Sequence, residues 1–104
     1  MTSVDEIAQK LNATIYVKSD KVVESFYAGD FLSRVMGKAP SKSCWFTVMN
    51  IVNVAGVATL ADVSLIVLCE SVKPDERLIE KCSSEDISLI TTDLDVYGAI
   101  VKLN

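Results

Sequence analysis

The sequence predicts an α/β fold in three layers, with helices on both faces of a mainly parallel sheet of four to five strands. The segment Ser64–Cys69, SLIVLC, is a nearly unbroken aliphatic run of strand length. Such a run is typical of a strand that is buried on both faces in the middle of a parallel sheet. From Asp30 onward, helical and extended patterns alternate, as a succession of β-α-β crossovers requires.

The N-terminal third of the chain predicts one helix and two strands. A capping-box pattern from Ser3 to Glu6, followed by apolar residues at helical spacing, predicts a first helix that ends at Asn12. Its buried face is predicted to comprise Val4, Ile7, Ala8 and Leu11. The segment Thr14–Val17 is a predicted strand, and Val22–Tyr27 is a second, less regular one.

The rest of the chain predicts alternating helices and strands. Asp30 is expected to cap a second helix that carries Phe31, Leu32, Val35 and Met36 and stops at Gly37. A strand is expected next at Cys44–Met49, then a helix at Val54–Leu60 that follows Asn53, and then the Ser64–Cys69 strand. The following helix is expected to have Pro74 in its first turn and to bury Leu78, Ile79 and Cys82. A strand at Ser88–Thr91 leads to a last helix, which is capped by Thr92 or Asp93 and whose Leu94, Tyr97 and Val101 face inward.

Composition limits the classes of protein to consider. The 104 residues are interpreted as a single domain, 1–104, since 50% are apolar and 23% are charged. The net charge is −4 and the lysines and arginines are scattered, which argues against nucleic-acid binding. No apolar run approaches the length of a membrane span, and the three cysteines are dispersed. We therefore expect a cytoplasmic protein without a membrane partner.

The sequence lacks residues that metal sites and several kinds of catalytic site commonly use. The chain has no histidine and no C-x-x-C pair, so we expect no metal site, no cofactor and no nucleophile paired with histidine. The run Gly37–Ser43 contains glycine, lysine and serine, but it follows a helix and precedes a strand, unlike a phosphate-binding loop. Only acids, threonines and cysteines are left for catalysis, so an enzyme is the least favoured interpretation.

The candidate site follows from the predicted sheet. Ligands of open parallel sheets favour the crevice beyond the carboxyl ends of the strands, where helix N-termini also point. The residues expected there are Gly29, Asp30, Thr47, Asn50, Asn53, Glu70, Thr91, Thr92 and Asp93. Helix capping by Asp30, Asn53 and Asp93 is the competing structural interpretation. Thr47, Asn50 and Thr92 could equally satisfy loop backbone.

The aromatic residues and one cysteine admit structural interpretations as well. Trp45 and Phe46 must point to opposite faces of one strand, in the core or at a subunit contact. Phe26 and Tyr27 are expected at an exposed edge. Cys69 has no evident cationic neighbour, which favours an inert packed thiol over a nucleophile.

Short spaced motifs cover nearly the whole chain. They are YAGDFLS at 27–33, Val35-Met36, WFT at 45–47, NVAGVA at 53–58, KPDE at 73–76 and LITT at 89–92. Together these motifs resemble the DRTGG domain, which is similar to the N-terminal domain of HPr kinase/phosphorylase. The sequence departs from the family where the five-residue signature would fall, since it reads KVVESF at 21–26.

The resemblance implies the three-layer α/β fold and a stand-alone regulatory or ligand-sensing module without catalysis. With the strand-end crevice, it favours binding of a nucleotide or another small anion at the helix N-termini. The resemblance also implies a homodimer and a setting near hydrogenases and their redox partners. The alternative function is therefore a protein-interaction subunit or homodimeric adaptor associated with such a redox system.

Overall fold

The structure is a computed structural model that describes residues 2–104. Its strands are β1 (Thr14–Val17), β2 (Ser25–Ala28), β3 (Ser43–Thr47), β4 (Leu65–Leu68) and β5 (Ser88–Thr91). Its helices are α1 (Val4–Leu11), α2 (Leu32–Lys38), α3 (Asn53–Leu60), α4 (Glu76–Ser84) and α5 (Val96–Leu103). The order along the chain is α1, β1, β2, α2, β3, α3, β4, α4, β5, α5.

The five strands form one sheet in the order β1-β5-β4-β3-β2. The strands β2 to β5 run parallel, and β1 pairs antiparallel with β5 at one edge. The predicted aliphatic strand is β4, which lies at the centre with all four residues buried. The expected mainly parallel sheet is therefore confirmed. A helix joins the two strands of each parallel pair, as parallel connections require.

Helices cover both faces of this sheet. One core joins α2, α3 and α4 to side chains such as Trp45, Ile66 and Leu89. The other core joins α1 and α5 to side chains such as Phe46 and Val67. Trp45 and Phe46 are both 0% exposed and belong to different cores, so their predicted placement in the interior is confirmed.

The first helix matches its prediction closely. Ser3 and Glu6 form the capping box, and Asn12 ends the helix with φ 52°. The predicted buried face of α1, which comprises Val4, Ile7, Ala8 and Leu11, is buried. All these signals are local in sequence, which explains their reliability.

The helices α2, α4 and α5 differ from their predictions in their bounds or in their buried residues. The side chains of Tyr97 and Val101 in α5 were expected inside but are 78% and 50% exposed, because α5 buries Ala99 instead. In α2 only Val35 is buried, and the helix continues through Gly37 to Lys38. Pro74 lies outside α4, because Asp75 has extended backbone and the helix begins at Glu76.

The strand β2 is an edge strand and is shorter than the predicted Val22–Tyr27 segment. Val23 is buried and forms an isolated bridge with Thr2 instead of extending the strand. Phe26 is 50% exposed, as expected for an aromatic residue at a sheet edge. Its register partner is Cys44, so Phe26 lies on the sheet face that α1 and α5 cover elsewhere.

Candidate functional site

The carboxyl ends of β2, β3, β4 and β5 lie side by side, since these four strands are parallel neighbours. Every residue predicted for the site follows or ends one of these strands or begins the next helix. Gly29 and Asp30 follow β2, Thr47 ends β3, and Asn50 and Asn53 lie between β3 and α3. Glu70 follows β4, and Thr91, Thr92 and Asp93 end and follow β5. Thr91 itself is partly buried and pairs with Leu68 and Thr14.

Asp30 joins the ends of β2 and β3. Its Oδ1 accepts hydrogen bonds from the Thr47 hydroxyl at 2.6 Å and from the Val48 N–H at 2.9 Å. The prediction that Asp30 caps α2 is wrong, because the N-cap is Phe31 and no side chain caps that helix. The Gly29 carbonyl is also engaged, since the Trp45 indole N–H donates to it at 2.8 Å. These bonds fix the backbone at this end of the edge.

The two asparagines predicted for the site near the start of α3 have different structural roles. The side-chain amide of Asn50 donates to the Lys73 carbonyl at 2.8 Å and so ties the loop after β3 to the loop after β4. The prediction that Asn53 caps α3 is wrong, because Asn53 is the first helical residue and the N-cap position is Val52. Val52 already has helical backbone, so the first turn begins before Asn53.

The ends of β4 and β5 form a second cluster. Glu70 and Ser71 are consecutive residues with φ 61°, and their N–H groups donate to the carbonyls of Leu94 and Thr92. The Ser71 hydroxyl donates to Asp93 Oδ1 at 2.7 Å. Two consecutive left-handed residues other than glycine are unfavourable by about 1–2 kcal/mol each, so this turn depends on the bonds around it.

Thr92 and Asp93 do not cap the last helix, contrary to the prediction. The N-cap of α5 is Asp95, whose carboxylate accepts from the Gly98 N–H at 2.7 Å. Thr92 is 3% exposed and donates from its hydroxyl to the Leu11 carbonyl at 3.0 Å. It thereby joins the end of β5 to the end of α1.

The pKa of Cys69, which follows β4, is affected by burial and by the negative charges at this edge of the sheet. Burial raises the pKa of this thiol to about 11, with smaller contributions from the negative charges of Glu70, Asp95 and Asp30. Acids from three different loops therefore act on one point in the middle of the edge. A thiol with this pKa is protonated at neutral pH, which agrees with the inert packed role predicted for Cys69.

A hollow of about 230 Å³ opens at the β5 end of this edge. It is lined by Lys10, Leu11, Asn12, Thr92, Asp93, Leu94 and Lys102. Of the residues predicted for the site, Thr92 and Asp93 belong to the lining, whereas Asp30, Asn50, Asn53 and Glu70 do not. The predicted residues thus share an edge without sharing this hollow.

Sequence reasoning missed Lys10, Asn12 and Lys102, which bring two positive charges and an amide to the hollow. Lys10 and Lys102 lie in the last turns of α1 and α5. The general preference for lysine in the last helical turn accounts for each of them locally. The packing of α1 against α5, which brings the helices together, has no signal in local sequence.

Within residues 2–104, no group of three or more histidine, cysteine, aspartate or glutamate side chains is arranged to hold a metal ion. In the same part of the chain, no helix combines the length and the apolar character that a membrane crossing needs.

Comparisons with known proteins establish the fold. No protein-family model matches the sequence, and the search of curated proteins found no match. A solved structure of the CBS and DRTGG domains of the regulatory region of Clostridium perfringens pyrophosphatase, complexed with the activator diadenosine tetraphosphate, is similar in fold, with a TM-score of 0.74 and 17% sequence identity. The similarity covers 98% of this chain and 46% of that chain, so this chain spans about half of its neighbour. The fold expected from the resemblance to the DRTGG domain is confirmed.

Proposed function

We propose that this chain is a non-catalytic regulatory module that senses a nucleotide or another small phosphate-bearing ligand at the strand-end edge. The observation that carries the proposal is the pair of lysines, Lys10 and Lys102, on the hollow beside Thr92. Asp93 also lines this hollow, but its Oδ1 already accepts from the Ser71 hydroxyl, and the rest of the edge is acidic, with Asp30, Glu70 and Asp95 near Cys69. A ligand with negative charge therefore fits the edge best at this end.

The solved neighbour supports this proposal. The pyrophosphatase regulatory region was complexed with a nucleotide that activates it. A chain with the same fold and about half the neighbour's length is suited to sensing a related compound. In this proposal Thr92 and Asp93 contact the ligand, while Gly29, Asp30, Thr47, Asn50, Asn53, Glu70 and Thr91 hold the edge in shape. The three cysteines are unpaired, which supports a cytoplasmic setting.

A thermal-shift titration tests the proposal. The protein is heated with AMP, ADP, ATP, diadenosine tetraphosphate or inorganic phosphate, and its Tm is recorded. A ligand at one hundred times its Kd stabilises by about 2.7 kcal/mol, which corresponds to a rise in Tm of roughly 10 °C or more for a domain of this size. The double variant Lys10→Ala, Lys102→Ala should lose the shift.

Lys38→Ala is the matched control, because Lys38 is an exposed lysine in the last turn of α2, away from the hollow. The control should keep the full shift. Absence of a shift with all five compounds, or an equal shift in the double variant, would rule the proposed ligand site out.

A second candidate function is self-association through β2, which would make the chain a homodimeric adaptor. Phe26 is 50% exposed and stacks on Phe46 with ring centroids 6.3 Å apart. An apolar hollow of about 210 Å³ lies beside this pair and is also lined by Ile100 and Leu103. The outer edge of β2 has no partner strand within residues 2–104. Antiparallel pairing of two β2 edges about a two-fold axis would cover both features.

Light scattering after size exclusion measures the mass directly. A dimer should give twice 11.3 kDa, and Phe26→Ser should return it toward 11.3 kDa. Phe31→Ser is the control, since Phe31 is 67% exposed but lies outside β2. A monomer at all concentrations would exclude the dimer. Capture of a redox protein by wild type and not by Phe26→Ser would instead support a redox-system partner at the same surface.

A further inference from the structure

A second hollow, lined in part by charged residues, lies at the opposite edge of the sheet, where the parallel strands begin. Its volume is about 280 Å³. It is lined by Asp20, Lys21, Val22, Lys42, Asp62 and Ser64. Lys42 immediately precedes β3 and Ser64 immediately precedes β4, so the hollow faces away from the strand-end edge. It therefore lies apart from the site proposed above.

Hydrogen bonds hold the walls of this hollow. The Lys42 N–H donates to the Asp62 carbonyl at 2.6 Å, and both residues have φ 57°. The Ser41 hydroxyl donates to the Asp62 carboxylate. On the opposite wall, the Lys21 N–H donates to the Ser19 hydroxyl at 3.2 Å, and the Ser19 N–H donates to the Ser88 hydroxyl at 2.9 Å. A hollow with walls fixed in this way is preformed for a ligand.

Ser64 lines the hollow, and the buried Ser43 lies next to it in the sheet without belonging to the lining. Ser43 is 0% exposed, and its hydroxyl has no hydrogen-bond partner within residues 2–104. A buried polar group without a partner costs about 1–3 kcal/mol, so its presence calls for a physical explanation. Ser43 and Ser64 are neighbours across β3 and β4, since the Ser64 N–H donates to the Ser43 carbonyl at 2.9 Å. Ser64 therefore supplies the serine hydroxyl of the hollow, whereas the Ser43 hydroxyl does not line it.

The charges around the hollow are balanced. Two of its side chains already have partners: Lys42 forms an ion pair with Glu24 at 3.5 Å, and Asp62 accepts from Ser41. Lys21 and Asp20 form no ion pair within the part of the chain that the structure describes. One ammonium group and one carboxylate therefore remain for a ligand. A simple anion would pair with Lys21 and leave Asp20 without a partner, whereas a ligand with both charges can pair with both.

We propose that this hollow binds a small zwitterion of the size of a free amino acid. The ligand carboxylate lies against Lys21, its ammonium group lies against Asp20, and the Ser64 hydroxyl contacts its polar end. The volume of the hollow suits a molecule of this size, and both signs of ligand charge find a partner. This site is independent of the nucleotide site proposed at the other edge.

Isothermal titration calorimetry with each of the twenty free amino acids tests the proposal on the full chain. At least one amino acid should bind saturably, and Lys21→Met and Asp20→Asn should each weaken its binding at least tenfold. Ser64→Ala should weaken binding as well, with circular dichroism used to check that the fold is kept. Asp75→Asn is the control and should leave binding unchanged, because Asp75 is exposed, precedes α4 and does not line the hollow.

Two results would overturn the proposal: no binding by any amino acid, or equal binding by wild type and the Lys21→Met and Asp20→Asn variants. The Lys10→Ala, Lys102→Ala variant tests only the nucleotide site at the other edge of the sheet. The two proposals can therefore fail independently of each other.

Discussion

Three helices are followed within two residues by a residue with positive φ that is not glycine. These residues are Asn12 after α1, Asp62 after α3 and Asp86 after α4. In each case the next residue donates to a carbonyl five positions earlier, as in the bond of 2.9 Å from the Ile87 N–H to the Cys82 carbonyl. This is the Schellman arrangement, in which glycine is the usual left-handed residue. The sequence therefore retains unfavourable backbone at these positions.

Asp86→Gly should stabilise the protein. Asp86 has φ 59°, is exposed and forms no side-chain hydrogen bond within residues 2–104. Glycine adopts this conformation without the steric cost that other residues incur there. We expect a gain of about 0.5–1 kcal/mol in the free energy of unfolding and a Tm higher by about 2–8 °C. Asp86→Ala, measured in parallel, should instead be neutral or destabilising.

The buried thiols should make stability depend on alkaline pH. Burial raises the pKa of Cys69 to about 11 and of Cys82 to about 12, from an ordinary value of 9.0, and it raises the pKa of Cys44 as well. Below pH 9 the thiols are protonated in both states and contribute nothing to a pH dependence. Above pH 9 the unfolded chain loses protons that the folded chain keeps, so the free energy of unfolding falls with rising pH.

Urea unfolding at pH 8, 9 and 10 measures this effect. Each thiol can contribute a slope of at most about 1.4 kcal/mol per pH unit. Cys82→Ala should make the decline between pH 9 and 10 shallower, whatever its effect on stability at pH 8. A decline that is equally steep in this variant would show that other groups cause it.

The capping residues show where prediction from local sequence fails. Asp30, Asn53 and Asp93 all have a residue type and position that favour an N-cap, yet none of them caps a helix. Asp30 bonds Thr47, and Asp93 bonds Ser71, which are 17 and 22 residues away in sequence. Partners at this distance are set by strand order, which no local pattern records.

At the level of the elements, Asp30 connects the ends of β2 and β3 in addition to their backbone bonds and the bond from Trp45 to Gly29. Asp30→Ala would leave the Thr47 hydroxyl and the Val48 N–H without this acceptor. Hydrogen bonds to charged groups are worth about 1.5–3 kcal/mol, so we expect a loss near the lower value, because Asp30 is exposed. Asp30→Asn keeps an acceptor oxygen and should lose less. Equal stability of Asp30→Ala and wild type in urea would show that this contact does not hold the strands.

The helices differ in how far sequence predicts them. The ends and buried face of α1 are predicted correctly, because its capping box and apolar spacing lie within one segment. In α5 the apolar residues surround the helix, so Tyr97 and Val101 look as suitable for the core as Ala99. Only the packing of α5 on α1 and the sheet selects the buried side. The exposed side of α5 therefore carries Tyr97 and Val101, which were predicted to be buried.

At the scale of the whole molecule, the three-layer fold was predictable because β4 has a continuous aliphatic sequence that only a central strand requires. The strand-end edge then follows from parallel topology. The hollow at the β5 end does not follow, because Lys10 of α1 is more than eighty residues away in sequence from Thr92 and Lys102, beside which it lies. The antiparallel position of β1 beside β5 likewise depends on long-range packing.

The position of each strand in the sheet predicts how fast its amides exchange with solvent. Leu65–Leu68 of β4 are buried and paired on both sides, so their amides should exchange only when the whole domain unfolds. The strand β2 pairs on one side with β3, and Ser25–Ala28 is only partly buried. In dilute protein its amides that point away from β3 should exchange much faster than those of β4.

Native-state hydrogen exchange at two protein concentrations tests this order. Self-association through β2 should slow its outward amides at high concentration and leave those of β4 unchanged. Phe26→Ser is the matched variant, because it removes the exposed ring and should keep β2 fast at both concentrations. Exchange in β2 as slow as in β4, in dilute wild type and in the variant alike, would contradict the edge position of β2. Slowing in wild type alone would support pairing of two chains at this edge.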